Sequence, residues 1–163
     1  LRDLMALGWI DKMPRLVGVQ AEGSSALVEA FRQEMRGDEM TTIEAETVAD
    51  SICAGLPRDR VKALTAARET GGNYVAVSDK EILNAIPAIA QRTGVFCEPA
   101  AAASYAGLVK ALELGAVSPE ERIVLLLTGS GLKDITSTMK AVEAAPVIPP
   151  VLDAVRDIVA SVD

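Results

Sequence analysis

The sequence predicts an α/β domain, a three-layer αβα sandwich around a mainly parallel sheet. Strand-like and helix-like segments alternate over much of the chain, the order that generates parallel pairing. Ile123 to Leu127 is a continuous apolar run of strand length, without the alternation of a strand wetted on one face, as expected of a strand covered on both. Half of the 163 residues are hydrophobic but only 3% are aromatic, so Ala, Val, Leu and Ile build the core and helices can approach a sheet closely. That length suits one domain with a sizeable core rather than two.

In chain order, Leu1 to Ile10 reads as the tail of a helix stopped by Gly8 and Pro14. Leu16 to Val19 reads as a short buried strand, followed by a loop through Ser25 that includes Glu22. Ala26 to Glu34 is predicted helical, with Leu27, Ala30 and Phe31 on one face. Glu44 to Gly55 is expected to form a short helix with Thr47 as N-cap and Gly55 as C-cap. Pro57 to Thr70 is another helix, striped by Val61, Leu64 and Ala67, and Tyr74 to Val77 a strand. Ser78-Asp-Lys-Glu81 is a capping box that opens a helix through Arg92, with Pro87 expected to bend it. Gly94 to Cys97 reads as brief and buried. Pro99 starts a helix to Gly115 whose Ala100, Ala103, Ser104, Gly107 and Ala111 form a small-residue face for close contact with the sheet. The Ile123 strand ends in Thr128-Gly-Ser-Gly131. Such a loop is either a plain turn or a place where backbone approaches a ligand, and strand ends of α/β sheets are where ligands sit. Pro146, Pro149 and Pro150 make an extended connector and Val151 to Val162 a terminal helix, so residues 1–145 and 146–163 are treated as separate units.

Composition narrows the function. A net charge of −7 and a pI near 4.7 argue against nucleic-acid or anionic-membrane surfaces. No apolar run reaches the roughly 18 residues of a membrane span, and no export signal is visible. Cys53 and Cys97 make no paired motif, which fits a reducing cytoplasm. The chain has no His, which excludes a Ser-His-Asp or Cys-His site within it and disfavours zinc.

Six stretches share one likeness. They are Leu16-Val-Gly-Val-Gln-Ala-Glu-Gly23, Glu46-Thr-Val-Ala-Asp-Ser-Ile52, Glu69-Thr-Gly-Gly72, Val77-Ser-Asp-Lys-Glu-Ile82, Gly94-Val-Phe-Cys-Glu-Pro-Ala100 and Leu127-Thr-Gly-Ser-Gly-Leu-Lys-Asp134. In that order and spacing they resemble the C-terminal half of the threonine synthase family, pyridoxal-phosphate enzymes of the tryptophan-synthase-β-like fold. Dehydratase and racemase relatives share parts of the set.

The resemblance implies a cytoplasmic homodimer that converts O-phosphohomoserine and water into threonine and phosphate, a lyase reaction on a small-molecule substrate. It implies cofactor contacts from Thr128, Ser130 and Glu98, with Thr128 offering a neutral hydroxyl to the pyridine nitrogen. Ala49 and Asp50 fall on the substrate side. No metal is implied, because Val28 stands where a second carboxylate is needed. The family's Schiff-base lysine and its Gly-rich phosphate loop match nothing here, so the chain reads as a fragment, inactive alone, with no catalytic lysine of its own. A dehydratase-like enzyme and a non-catalytic α/β binding module remain the alternatives.

Overall fold

The computed structural model describes residues 1–142 and 144–162. Its centre is one parallel pair, β1 (Val17–Ala21) and β2 (Asn73–Val77), in register from Val17 opposite Asn73 to Ala21 opposite Val77. The side-chain period of two sorts these strands onto two faces. Val19, Ala21, Val75 and Val77 face α4 (Asp79–Thr93) and α5 (Pro99–Glu113), packing with Ile82, Ile86, Ile89, Ala103 and Ala111. Tyr74 and Ala76 face α2 (Ala26–Arg32) and α3 (Arg60–Glu69), meeting Leu27, Val28, Ala30, Leu64 and Ala67. Helices therefore cover both faces of the sheet, the three-layer arrangement that the sequence predicts.

Local chemistry fixes the joints. Gln20 lies buried on β1, and its Oε1 accepts hydrogen bonds from the Leu27 and Val28 amides at 2.7 and 3.1 Å. One strand side chain thus satisfies two free donors in the first turn of α2. Ser78 and Glu81 form the reciprocal capping box at the start of α4, and Lys110 of α5 reaches Glu81 Oε1 at 2.8 Å. The ammonium and the Ser78 donors together pull the Glu81 carboxyl down to about 2. α4 continues through Pro87, held by Ile82, Ala85, Ile86 and Ile89 on both sides of the missing N–H. The small-residue face of α5 is also realised. A Cβ added to Gly107 falls 2.3 Å from Val19 Cγ2, so only glycine lets this helix rest on β1.

Three expectations need correction. The segment predicted as a helix over 44–55 forms no helix beyond a 3-10 turn at Asp50–Ile52. Its amides are taken by neighbours: Glu46 donates to the Gly23 carbonyl at 2.9 Å, Val48 to Asp79 Oδ2 at 3.1 Å and Ala54 to Ser24 Oγ at 2.9 Å. With those donors bound elsewhere, no i to i−4 ladder forms.

The second correction concerns Gly94 to Cys97, of which only Cys97 is buried; Val95 and Phe96 are exposed. The third is the largest. Ile123 to Leu127 forms no ladder among the described residues, and Val124 is 84% and Leu126 72% exposed. Thr128 consequently does not end a central strand. The run is tethered at its start, where Glu121 pairs with Arg15 at 2.6 Å and accepts the Ser118 amide at 2.9 Å. Beyond that tether it pairs with neither outer edge of the two-stranded sheet, and β propensity without a partner makes no strand.

Short helices close the chain: α1 (Arg2–Ala6) at its start, then α6 (Ile135–Thr138) and α7 (Leu152–Val162). No helix among the described residues is long and apolar enough to cross a membrane.

Candidate functional site

The loop after the apolar run is pinned to the start of α5. Cys97 and Ser130 form an antiparallel bridge; the Glu98 amide donates to the Gly129 carbonyl, and the Gly131 amide to the Phe96 carbonyl, both at 3.1 Å. Two glycines make this close approach possible. A Cβ on Gly129 falls 2.1 Å from Glu98 Oε1, and one on Gly131 falls 2.5 Å from the Phe96 ring. Ser130 Oγ accepts the Leu132 amide at 3.3 Å, stiffening the turn. Thr128, one residue before the glycine, is exposed.

Glu98 is the buried charge of this region. It occupies the N-cap position of α5 with Pro99 next, yet its side chain caps nothing. The carboxylate instead turns toward Ser51 Oγ, 3.3 Å from Oε2, and Lys133 Nζ, 3.4 Å away. Lys133 also donates to Ser51 Oγ at 2.8 Å. Beside this triangle lies a cavity of about 340 Å³ lined by Asp50, Ser51, Glu98, Pro99, Ala100, Lys133 and Asp134. Asp134 receives the Ser137 amide at 3.0 Å, and that donor holds its carboxyl below the usual range. Cys97, fully buried, has its thiol pushed up by burial, opposite to what a thiolate nucleophile needs.

The structure brings four of the five site residues read from the sequence to one place. Glu98 and Asp50 line the cavity, and Thr128 and Ser130 lie on the loop bridged to residues 96–98. Ala49 sits beneath, fully buried in the core with Ala21 and Val77. Sequence reasoning passed over Ser51 and treated Lys133 only as a loop residue. Nothing local marks either one, because each acquires its meaning from Glu98, tens of residues away in the chain. Glu22 is exposed on a separate turn, and Val28 is core. Among the described residues no cluster of acidic or sulfur side chains could hold a metal ion.

Comparison with known proteins adds to this geometry. Residues 2–129 match the family described as pyridoxal-phosphate dependent enzyme. A threonine synthase of Methanocaldococcus jannaschii is 43% identical over 142 residues, covering 87% of this chain and 35% of that protein. The threonine synthase of Methanosarcina acetivorans is 39% identical over 158 residues, covering 96% and 38%. That of Mycobacterium tuberculosis is 39% identical over 143 residues, covering 88% and 37%. The chain thus spans somewhat over a third of the length of these curated relatives. Among solved structures, a T.th. threonine deaminase superposes with a TM-score of 0.51 at 24% identity, covering 72% of this chain and 39% of that one. Maize serine racemase gives 0.50 at 19% identity, covering 64% and 30%. These two likenesses concern the fold.

Proposed function

Because this chain belongs to the pyridoxal-phosphate dependent enzyme family, we propose that it forms the ring-side wall of the cofactor site in a threonine synthase. The single observation that carries this reading is the identity of about 40% to threonine synthases across nearly the whole chain. The reaction is the conversion of O-phosphohomoserine and water into threonine and phosphate. The cofactor, when bound, supplies the electron sink for the elimination and for the addition of water.

This chain's residues fit the ring end of such a group. Gly129 and Gly131 let the loop lie against Glu98 and Phe96, which holds Thr128 beside the start of α5. Thr128, which is exposed, would offer its hydroxyl to the pyridine nitrogen, and a neutral hydroxyl, unlike a carboxylate, would not hold that nitrogen protonated. Ser130 fixes the turn that carries Thr128, Glu98 would border the ring, and Asp50 would line the substrate side with Ala49 buried beneath it as its support. Residues 1–145 belong to the large domain, and residues 146–163 are a connector and terminal helix. The lysine that holds the cofactor and the phosphate cradle lie outside these 163 residues, so the chain alone is inactive. The complete enzyme is a cytoplasmic homodimer.

The test uses the full-length protein that contains this chain. Borohydride trapping with peptide mapping should place pyridoxal phosphate on one lysine outside these residues, and O-phosphohomoserine should yield threonine and phosphate. Thr128→Val should slow turnover roughly 10- to 100-fold, the scale of one hydrogen bond to a charged or polarised group, whereas Thr128→Ser retains most of it. Trapping on Lys133, or deamination of threonine in place of its synthesis, overturns the reading.

A further inference from the structure

Lys133 and Ser51 have no role in the reading above, yet they are the polar partners of the buried carboxylate at its centre. The Glu98 side chain is 5% exposed and that of Lys133 63%, so the ammonium reaches in from the rim to a charge that is almost shut off from water. A carboxylate so placed is costly unless paired. Glu98 stands at an N-cap but does not cap its helix, so its orientation is set by Ser51 and Lys133 and not by α5. The three residues come from three segments: the 3-10 turn at Asp50–Ile52, the start of α5, and the loop after Thr128. Glu98 Oε1 meanwhile abuts the position where Gly129 lacks a Cβ.

We propose that Lys133 is a positioning residue: its ammonium, with the Ser51 hydroxyl as second anchor, locks Glu98 and thereby sets the spacing between α5 and the Thr128–Gly131 loop. The locking itself stands on the contacts alone; its consequence for the cofactor rests on the function proposed above. What the lock requires is a cation, so arginine can replace lysine and methionine cannot. It also requires a charge to be locked. Once Glu98 is neutral, the loss of Lys133 no longer matters.

Hydrogen exchange on the cofactor-free, full-length protein tests the lock, read at the Glu98 and Gly131 amides that bridge loop and helix. Lys133→Met should speed their exchange about tenfold or more, the scale of a hydrogen bond to a charged group. Amides of β1 and β2 should not change, Lys133→Arg should behave like the parent, and Ser51→Ala should give a smaller rise. In a Glu98→Gln background, Lys133→Met should add nothing further. That last comparison also serves if Lys133→Met alone folds poorly. Pyridoxal-phosphate affinity, measured by titration, should weaken in the same order of variants. Unchanged exchange in Lys133→Met, an equal rise throughout β1 and β2, arginine no better than methionine, or full additivity with Glu98→Gln each overturns the proposal. A parent protein that binds no pyridoxal phosphate counts against the proposed function, and leaves the exchange comparison to decide the lock.

Discussion

Val17–Ala21 and Ile123–Leu127 are both five-residue, mainly apolar segments followed by glycine-containing turns, and they end in opposite states. β1 is paired along its length with β2 and roofed by α5, whose Gly107 sits against Val19. The Ile123 run is the more hydrophobic of the two, yet it lies unpaired with Val124 and Leu126 facing outward. Hydrophobicity therefore does not decide which becomes a strand. β1 has a partner whose register places its side chains on covered faces, and the Ile123 run has none among the described residues. The turn after it is nevertheless ordered, because its own bonds run to residues 96–98 and not to the strand before it. The loop is therefore held by α5 and not by strand pairing of the run that precedes it.

The largest effect should come from breaking the roof over β1. Gly107→Leu drives a side chain into Val19 and separates α5 from the sheet, at a cost of about 3 kcal/mol, the upper end for overpacking. Urea denaturation reads this directly as a lower midpoint. An unchanged midpoint would mean that α5 does not rest on β1, and the contrast between the two segments would lose its basis.

A smaller effect sits at the joint between α4 and α5. Ser78→Ala removes both the acceptor for the Glu81 amide and a hydroxyl partner of the Glu81 carboxylate, and should cost about 1 kcal/mol. The same joint carries a pH signature. The folded Glu81 carboxyl is held at about 2, mainly by Lys110, below its ordinary value of 4.5. A depressed carboxyl stabilises the fold above its unfolded value, and that contribution is lost as pH falls from 4.5 toward 2. The side chain is 36% exposed, so solvent screens the gain and only a modest slope is expected. Comparing acid unfolding of the parent with Lys110→Met tests the sign: the variant should lose less stability across that interval. A slope equally steep in both proteins would assign the acid sensitivity elsewhere.

What could be read from the sequence divides along the same line. The capping box at Ser78 and the helix start at Pro99 were legible because each is a local rule, satisfied within a few residues. The small face around Gly107 was legible because its helical spacing is written in the sequence, even though its partner, Val19, is distant. The two strands of the sheet were legible too, close to their observed ends. The segment over 44–55 was misread because its amides are claimed by Gly23, Ser24 and Asp79, and such competitors leave no trace in local periodicity. Of the cavity, Glu98 and Asp50 came from the likeness to a family, whereas Ser51 and Lys133 gain their place from a carboxylate distant in the chain.

The smallest effect sharpens the comparison most. Val124 is 84% exposed and lies in a segment without a ladder, so Val124→Ser removes almost no buried surface. The stability of this chain should change by less than about 0.5 kcal/mol, as for an ordinary surface position. Val75→Ser in β2 is the control. That residue is buried against Ala111 and Val117, and the change strands a hydroxyl among them, at a cost of about 2 kcal/mol or more. Denaturation midpoints of the two variants, measured side by side, should differ clearly. In the full-length protein the Val124 result gains a second use. If the run pairs there with a strand outside these residues, Val124→Ser should become costly while Val75→Ser stays as it was. A Val124 substitution that is already costly in the 163-residue chain would mean that the run is packed, and that the two segments do not differ as described.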